Sequence, residues 1–336
     1  MVYEIWLNRL RGYTYPQKRA LLKVYGDFRQ VYEGLRERLA PEDARLDEAE
    51  KILAECRAKG IFIKNFREYG IQDKADLPLI LYCRGNWKPI YESIGIVGTR
   101  RCTEYGKKIA VETAEKLAAS GVTVISGMAR GIDGYAHSAA IKAGGYTVAV
   151  PGTGPDICFP AEHRSLMDAI LNTGLIISEY PPGFHGSKST FPQRNRIIAA
   201  FSDRLLLVES GEKGGALITA ERAKAYGKEV YAVPGRLDSP ESRGTNRLIA
   251  EGRAKLWLPE YCKSREEQLC LQLETEEKAE SPDMPVIAAL KRHGGCIPLD
   301  ELALAPECAG LSLMEELTEL ELNDLIRMEG DIVWLR

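Results

Sequence analysis

The chain has 336 residues, of which 45% are hydrophobic and 28% charged, and its formal net charge is −3. This length predicts two or three domains with a sizeable hydrophobic core. No apolar run approaches the ~20 residues that cross a bilayer, and the N-terminus lacks the basic-then-apolar layout of a signal peptide, so the composition excludes a membrane protein and predicts a cytoplasmic one.

The cysteines and histidines form no metal-binding or disulfide pattern. Eight cysteines are scattered without a C-x-x-C pair, and the chain has four histidines. We therefore expect neither a zinc site nor a disulfide framework, and no other metal.

Charge is distributed unevenly along the chain. Residues 264–336 hold 17 acids and 6 bases, a net −11, so residues 1–263 carry +8. A polyanionic partner is therefore expected to bind the front and middle of the chain and not its tail.

The first part of the chain predicts short helices. Apolar residues such as Val24, Phe28 and Val31 recur at helical spacing up to about residue 80, and no alternating strand pattern competes. A small helical domain is predicted for residues 1–85.

The next part, residues 86–262, alternates short apolar strands with amphipathic helices. Such alternation implies parallel strands joined by right-handed crossovers, which is a doubly wound, mainly parallel α/β sheet of the Rossmann-like kind. Its ligand site should lie beyond the carboxyl ends of the strands. The predicted strands are Ile94–Val97, Val122–Ser126, Thr147–Val150, Leu175–Ser178, Arg204–Val208 and Glu229–Val233.

The tail predicts a linker and a winged-helix domain. Residues 263–282 are rich in Glu, Lys, Gln and Ser, as a solvated linker is, and residues 283–336 show three helical patterns and a terminal strand. The element expected to enter a DNA groove, Leu311–Asn323, has four glutamates and no lysine or arginine, so we do not expect it to read DNA directly.

The loop after the first sheet strand predicts an anion site. Gly98 and Thr99 lead into a helix whose first amides can face an anion, and Arg100 favours contact with a phosphodiester. The alternative for Arg100 is an ion pair within the sheet. The pattern here is G-x-x-G-x-R and no acid follows the second strand to hold a ribose, so no dinucleotide or other cofactor is expected.

Two later loops repeat this arrangement. Arg130 follows the second strand and can reach the same crevice, while Gly214 and Gly215 join the fifth strand to a helix N-terminus. His137, one turn into the helix after Arg130, is expected to be packed or hydrogen-bonded and not a general base.

The segment from Gly183 to Arg196 is the most informative in the chain. It carries three permanent cations, a histidine and two aromatic residues, Phe184 and Phe191, but no acid. Cations neutralise phosphates and exposed rings stack on bases, so the segment predicts contact with a nucleic-acid strand. The alternative is that both rings fill the core and the cations belong to a solvated loop.

Seven motifs follow one another between residues 93 and 256: GIVGTR, SGMARGIDGYAH, TVAVPGTG, ISEYPPG, FPQRNRIIA, GGALITA and AVPG. Together they resemble the DNA processing protein A family, also called Smf. The resemblance implies a bacterial cytoplasmic protein that binds and protects incoming single-stranded DNA, is not an enzyme, forms a homodimer and helps load the RecA recombinase in natural transformation. It also implies a SAM-like fold for the helical domain.

The DNA pocket of that family carries over to five positions of this sequence. The resemblance assigns DNA contacts to Arg100, Lys188, Phe191, Arg194 and Asn195. In relatives the last glycine-rich turn often has a serine between its glycines, whereas this chain has Gly214-Gly215-Ala216, so a hydroxyl contact to phosphate is not expected there.

Leu248 and Ile249 are the candidate dimer contacts. They lie in a short predicted helix after the last strand, where few later strands remain to cover them. Ordinary packing at the sheet edge is the alternative, and the resemblance favours a two-fold interface.

Two other classes of function are the alternatives. A nucleotide-processing hydrolase of the lysine-decarboxylase-like fold would need the site P-G-G-x-G-T-x-x-E, but here the later glycine is missing and Glu221 is out of register. A scaffold that binds an acidic protein would not need the interleaved aromatic rings.

Overall fold

A computed structural model of the protein describes residues 1–258, 285–308, 312–323 and 325–335. The chain divides into two compact units, Met1–Arg265 and Glu266–Arg336. Every helix in the described ranges is too short or too polar to cross a bilayer.

The first unit contains ten helices and nine strands among its described residues. The helices are α1 (Val2–Arg9), α2 (Tyr15–Tyr25), α3 (Phe28–Leu35), α4 (Asp47–Ala58), α5 (Glu104–Ala119), α6 (Ile132–Lys142), α7 (Arg164–Thr173), α8 (Thr190–Phe201), α9 (Gly215–Ala225) and α10 (Arg243–Ala250). The strands are β1 (Phe62–Asn65), β2 (Ile80–Gly85), β3 (Ser93–Val97), β4 (Thr123–Ser126), β5 (Thr147–Ala149), β6 (Leu175–Ser178), β7 (Arg204–Leu207), β8 (Glu229–Ala232) and β9 (Lys255–Leu256).

These strands form one sheet in the order β1-β2-β6-β5-β4-β3-β7-β8-β9. The run from β6 to β9 is parallel, and helices link its strands. The predicted Rossmann-like class is confirmed, and all six predicted strands are present with ends within one residue of the prediction. Strands buried on both faces read as short runs of Ile, Val and Leu, which is why the pattern located them.

The strand order creates a crevice between β3 and β7. The chain runs from β3 outward to β6 and returns through α8 to β7 on the other side of β3. Loops that follow β3 and β7 therefore diverge at the carboxyl edge of the sheet, which is where open α/β sheets bind ligands.

The prediction of helices alone for residues 1 to 80 is wrong at β1 and β2. Strand β2 pairs antiparallel with β6, and β1 pairs with β2. Leu81 and Cys83 of β2 face the main core, whereas Ile80 and Tyr82 pack with the four N-terminal helices. Apolar residues on both faces leave no alternation, so a strand of this length cannot be distinguished from a helical segment by period.

A buried polar contact also joins the N-terminal helices to α8. Glu179 Oε1 accepts hydrogen bonds from Tyr15 Oη and from Arg196 Nη2, each at 2.7 Å. Burial of the phenol and the neighbouring Glu179 carboxylate raise the pKa of Tyr15 well above its usual value. This contact ties α8 to α2 of the N-terminal helices. The predicted boundary between the helical domain (residues 1–85) and the Rossmann-like domain (residues 86–262), which both lie in the first unit, stays a prediction.

The second unit, in its described residues, combines three helices with a small sheet. Its elements are α11 (Pro285–Arg292), β10 (Cys296–Pro298), α12 (Leu299–Ala303), α13 (Leu313–Leu322), β11 (Ile326–Glu329) and β12 (Ile332–Leu335). The sheet order is β10-β12-β11, and all its pairs are antiparallel. The three helices and the terminal strand are confirmed, whereas the winged-helix assignment stays a prediction. The predicted linker, 263–282, lies outside the described residues.

Candidate nucleic-acid interface

A cleft of about 650 Å³ opens at the carboxyl ends of β3 and β7, at the edge that the sequence indicated. Three segments form most of its wall: the loop after β3, the first turns of α8, and the loop that leads into α9. The lining residues are Val97, Gly98, Thr99, Arg100, Arg101, Ala129, Asp133, Phe159, Lys188, Phe191, Pro192, Arg194, Asn195, Ile198, Ser210, Gly211, Gly214, Gly215, Ala216 and Thr219.

Arg100 and Lys188 line the cleft and are exposed. The residue patterns and the family resemblance both predicted DNA contacts for them. Within the described ranges neither side chain makes an ion pair or a hydrogen bond, so the alternative of an intra-sheet ion pair for Arg100 is wrong. The Arg100 guanidinium lies over the Phe191 ring, 5.8 Å from its centroid. Two cations without acidic partners beside a ring leave their charge available to phosphates.

Phe191 forms the aromatic part of the cleft together with Phe159. Their ring centroids are 5.0 Å apart at 40°, and Phe159 is 47% exposed. Neither ring belongs to a hydrophobic cluster of the described residues, so Phe191 does not fill the core. Gly152 allows this arrangement, because a Cβ there would lie 2.7 Å from the Phe191 ring. Sequence reasoning missed Phe159, which lies beyond the glycines of its loop and has no cation next to it in the chain.

Phe184, the second ring of the predicted segment, lies outside the cleft. It stacks on Tyr180 with centroids 4.6 Å apart and ring planes at 12°. Like Phe191, it belongs to no hydrophobic cluster in the part of the chain that the structure describes. The two rings of the segment thus face different places.

Arg194 lies in the floor of the cleft and is 4% exposed. Its guanidinium lies against Gly127, where a Cβ would come within 1.6 Å of Nη1. Burial lowers the pKa of Arg194 to about 10, and the nearby Asp133 carboxylate partly opposes this shift. Asp133 Oδ2 accepts the amide of Gly127 at 3.1 Å. Arg194 therefore contributes a positive charge beneath the surface, unlike Arg100 and Lys188 on it.

The glycine loops bring the remaining predicted residues to the same cleft. Asn195 Nδ2 donates to Gly215 O at 3.4 Å, and open space surrounds the position of a Cβ on Gly215. The amide of Thr99 donates to Glu209 O at 2.8 Å, which joins the loops after β3 and β7. Gly98 and Gly214 line the wall beside them. The backbone at α9 can therefore approach a ligand closely.

Arg130 is the predicted contact that the structure does not bring into the cleft. Its Nη2 pairs with Glu162 Oε2 at 2.5 Å, and the side chain is absent from the lining residues. The loop after β4 turns this side chain outward, which no sequence pattern shows.

Leu248 and Ile249 differ in their burial. Leu248 is 4% exposed and belongs to the main core cluster, whereas Ile249 is half-buried against the same cluster. Packing at the sheet edge, the alternative given above, therefore describes Leu248. A charge at that position would be buried in the core, so Leu248→Arg is expected to unfold the chain and not to give a folded monomer.

His137 is fully buried, with Nδ1 2.7 Å from Thr147 Oγ1, which agrees with a packed histidine. Burial lowers its pKa to about 3. An unfolded histidine has a pKa of about 6.5, so between these values the unfolded chain binds a proton that the folded chain does not.

We predict that the contribution of His137 to the free energy of unfolding falls as the pH decreases from 6.5 towards 3. The slope is up to about 1.4 kcal/mol per pH unit. Urea unfolding of the wild type and His137→Gln at pH 7, 6 and 5 tests this, because the variant should show the shallower dependence. Parallel curves for the two proteins would contradict the assignment.

Comparisons with known proteins identify what this chain is similar to. The model of a family described as DNA recombination-mediator protein A matches residues 62–265. DNA processing protein DprA of Bacillus subtilis (strain 168) is 37% identical over 216 residues, which are 62% of this chain and 73% of that protein.

Two solved structures share the fold. DNA processing protein A of Streptococcus pneumoniae has a TM-score of 0.65 at 30% identity, covering 76% of this chain and 94% of the other. DNA processing protein A of Helicobacter pylori, whose structure concerns a single-stranded DNA binding mode, has a TM-score of 0.53 at 33% identity, covering 56% and 86%.

Proposed function

This chain belongs to the DNA recombination-mediator protein A family, and we propose that it binds single-stranded DNA without sequence preference through the cleft between β3 and β7. The observation that carries the proposal is the meeting of two cations with two rings, Arg100 and Lys188 with Phe191 and Phe159. Neither cation has an acidic partner among the described residues. The Helicobacter pylori relative, with its single-stranded DNA binding mode, supports it.

The chemistry of the cleft suits an unpaired strand. Phosphates would contact Arg100 and Lys188, with the buried charge of Arg194 and the amides at the start of α9 behind them. Bases would stack on Phe191 and Phe159, which requires that their faces are not already covered by the neighbouring base pairs of a duplex. Every base has such a face, so binding of this kind tolerates any sequence.

In the cell, the proposed role is to protect incoming single strands and to help load the RecA recombinase during natural transformation. We also propose a cytoplasmic homodimer formed through the Rossmann-like unit, with the half-buried Ile249 on α10 as a contact. A dimer offers two clefts to one strand and so increases avidity without new contacts. Light scattering of the full chain measures the oligomeric state.

We expect single-stranded oligonucleotides to bind more tightly than the matched duplex, with an affinity that decreases steeply as salt rises. Fluorescence anisotropy of labelled strands of several sequences, titrated from low to high salt beside the annealed duplex, measures both properties. Equal affinity for duplex and single strand would contradict the proposal. So would a strong preference for one base composition.

Binding without catalysis is part of the proposal. Asp133 is the single carboxylate among the described lining residues, and its Oδ2 already accepts backbone amides. A hydrolase would need a free acid or base at the reacting bond. Incubation with a purine nucleoside monophosphate tests the alternative, since release of the base would identify a hydrolase.

A further inference from the structure

A second pair of aromatic rings lies at the carboxyl edge of the sheet, outside the cleft. Tyr180 and Phe184 follow β6, and their rings are stacked nearly parallel, at 12° with centroids 4.6 Å apart. Both side chains are half-buried, and no hydrophobic cluster of the described residues includes either. We call them the outer ring pair. The outer ring pair is therefore an aromatic surface at the sheet edge and not part of a described core.

The outer ring pair is continuous with the cleft. Tyr180 Oη donates to Gln193 Oε1 at 3.3 Å, and Gln193 lies two residues beyond Phe191 on α8. The amide of Gly154 donates to Phe184 O at 2.8 Å, and Gly152 of the same loop lies against the Phe191 ring. One helix and one loop therefore fix both aromatic sites relative to each other.

The charges around the outer ring pair suit a polyanion. His185 and Lys188 are exposed, and neither makes an ion pair in the part of the chain that is described. Asp156 and Glu55 both contact Lys59, at 2.6 and 2.5 Å. Glu179, next to Tyr180 in the chain, pairs with Arg196 at 2.7 Å. A backbone phosphate next to the rings would meet the Lys188 ammonium and carboxylates that already have cationic partners.

We propose that the outer ring pair is a second stacking site, which takes an unpaired base of the strand where it leaves the cleft along α8. The inference rests on the proposed function, since the strand must occupy the cleft first. Near-parallel aromatic rings present a flat face on which a base can stack as a third layer. The pair would thus set the direction in which the strand runs from Phe191 towards the N-terminal helices.

Oligonucleotide length separates this site from the cleft. The test uses thymidine oligomers of roughly 4 to 16 nucleotides. Phe184→Ala should leave the affinity for the shortest oligomers unchanged and should weaken the affinity for the longer oligomers about tenfold. The salt dependence should not change, because no phosphate contact is lost. Phe191→Ala should weaken all lengths, and Phe184→Tyr should retain wild-type affinity because it keeps the ring.

Tyr91→Ala is the matched control. That ring is 93% exposed in the loop before β3, at the opposite edge of the sheet, so its removal should have no effect at any length. Anisotropy titrations with melting curves on all four variants measure the outcome. Wild-type affinity of folded Phe184→Ala at every length, or an equal loss at every length, overturns the second site. Wild-type affinity of folded Phe191→Ala would instead refute the cleft itself.

Discussion

Replacing Arg100 or Lys188 by alanine is expected to weaken binding of single-stranded DNA about fivefold at 0.1 M salt. Each exposed cation that neutralises one phosphate of a single strand contributes a slope of about 0.7 to the dependence of log K on log salt. Between 1 M and 0.1 M salt, a slope of about 0.7 changes the binding constant by a factor of about five, and the variant loses this contribution at 0.1 M. The double variant should lose about 25-fold, because the two side chains make separate phosphate contacts.

Arg130→Ala is the control for this prediction. Arg130 is equally exposed and equally charged, but it pairs with Glu162 and does not line the cleft. Its removal should change neither the affinity at 0.1 M salt nor the slope. Anisotropy titrations at four salt concentrations give both quantities for each protein. Unchanged slopes in Arg100→Ala and Lys188→Ala, with intact melting curves, would place the strand elsewhere.

Replacing Phe191 by alanine is expected to reduce the affinity without changing the salt slope. A lost base stack corresponds to roughly 1–3 kcal/mol, or about 5- to 150-fold in Kd. The ring makes no ion pair, so the number of counterions released should stay the same. A loss of affinity with a constant slope therefore distinguishes a stacking residue from a phosphate contact in the same titration.

Phe191→Trp serves as the control that keeps an aromatic face. It should bind with an affinity near that of the wild type, whereas Phe191→Leu, which keeps apolar volume but no ring, should behave like alanine. Because Phe191 also touches Phe159 and lies over Gly152, melting curves must accompany each titration. Full affinity of Phe191→Leu would show that the position contributes apolar packing and not stacking.

The sequence by itself determined the sheet, its edge and the central residues of the cleft. Runs such as Leu175–Ser178 are apolar on both faces, which identifies strands of a parallel sheet, and glycines after those strands identify the ligand edge. The unbroken basic and aromatic character of the segment around Lys188 and Phe191 indicated a nucleic acid. The resemblance to the DNA processing protein A family rested on short motifs in a fixed order, and the family match confirms it.

Only the tertiary structure decided which side chains meet and which are buried. Phe159 joins the cleft from a position beyond the glycine motif of its loop, and Arg130 turns away to Glu162. Arg194 and Lys188 belong to one basic segment, yet Arg194 is buried in the floor of the cleft and Lys188 is exposed on its surface. A residue's direction depends on the helix phase and on neighbours distant in sequence, and local composition does not encode either.

The same reason explains the errors at the two ends of the Rossmann-like unit. β2 is apolar on both faces because it lies between the main core and the helical core, so its period gave no strand pattern. Leu248 was expected at a surface because few strands follow it, but it packs into the main core. Local sequence sets the type of an element, whereas its burial depends on long-range packing, and only the folded chain specifies that packing.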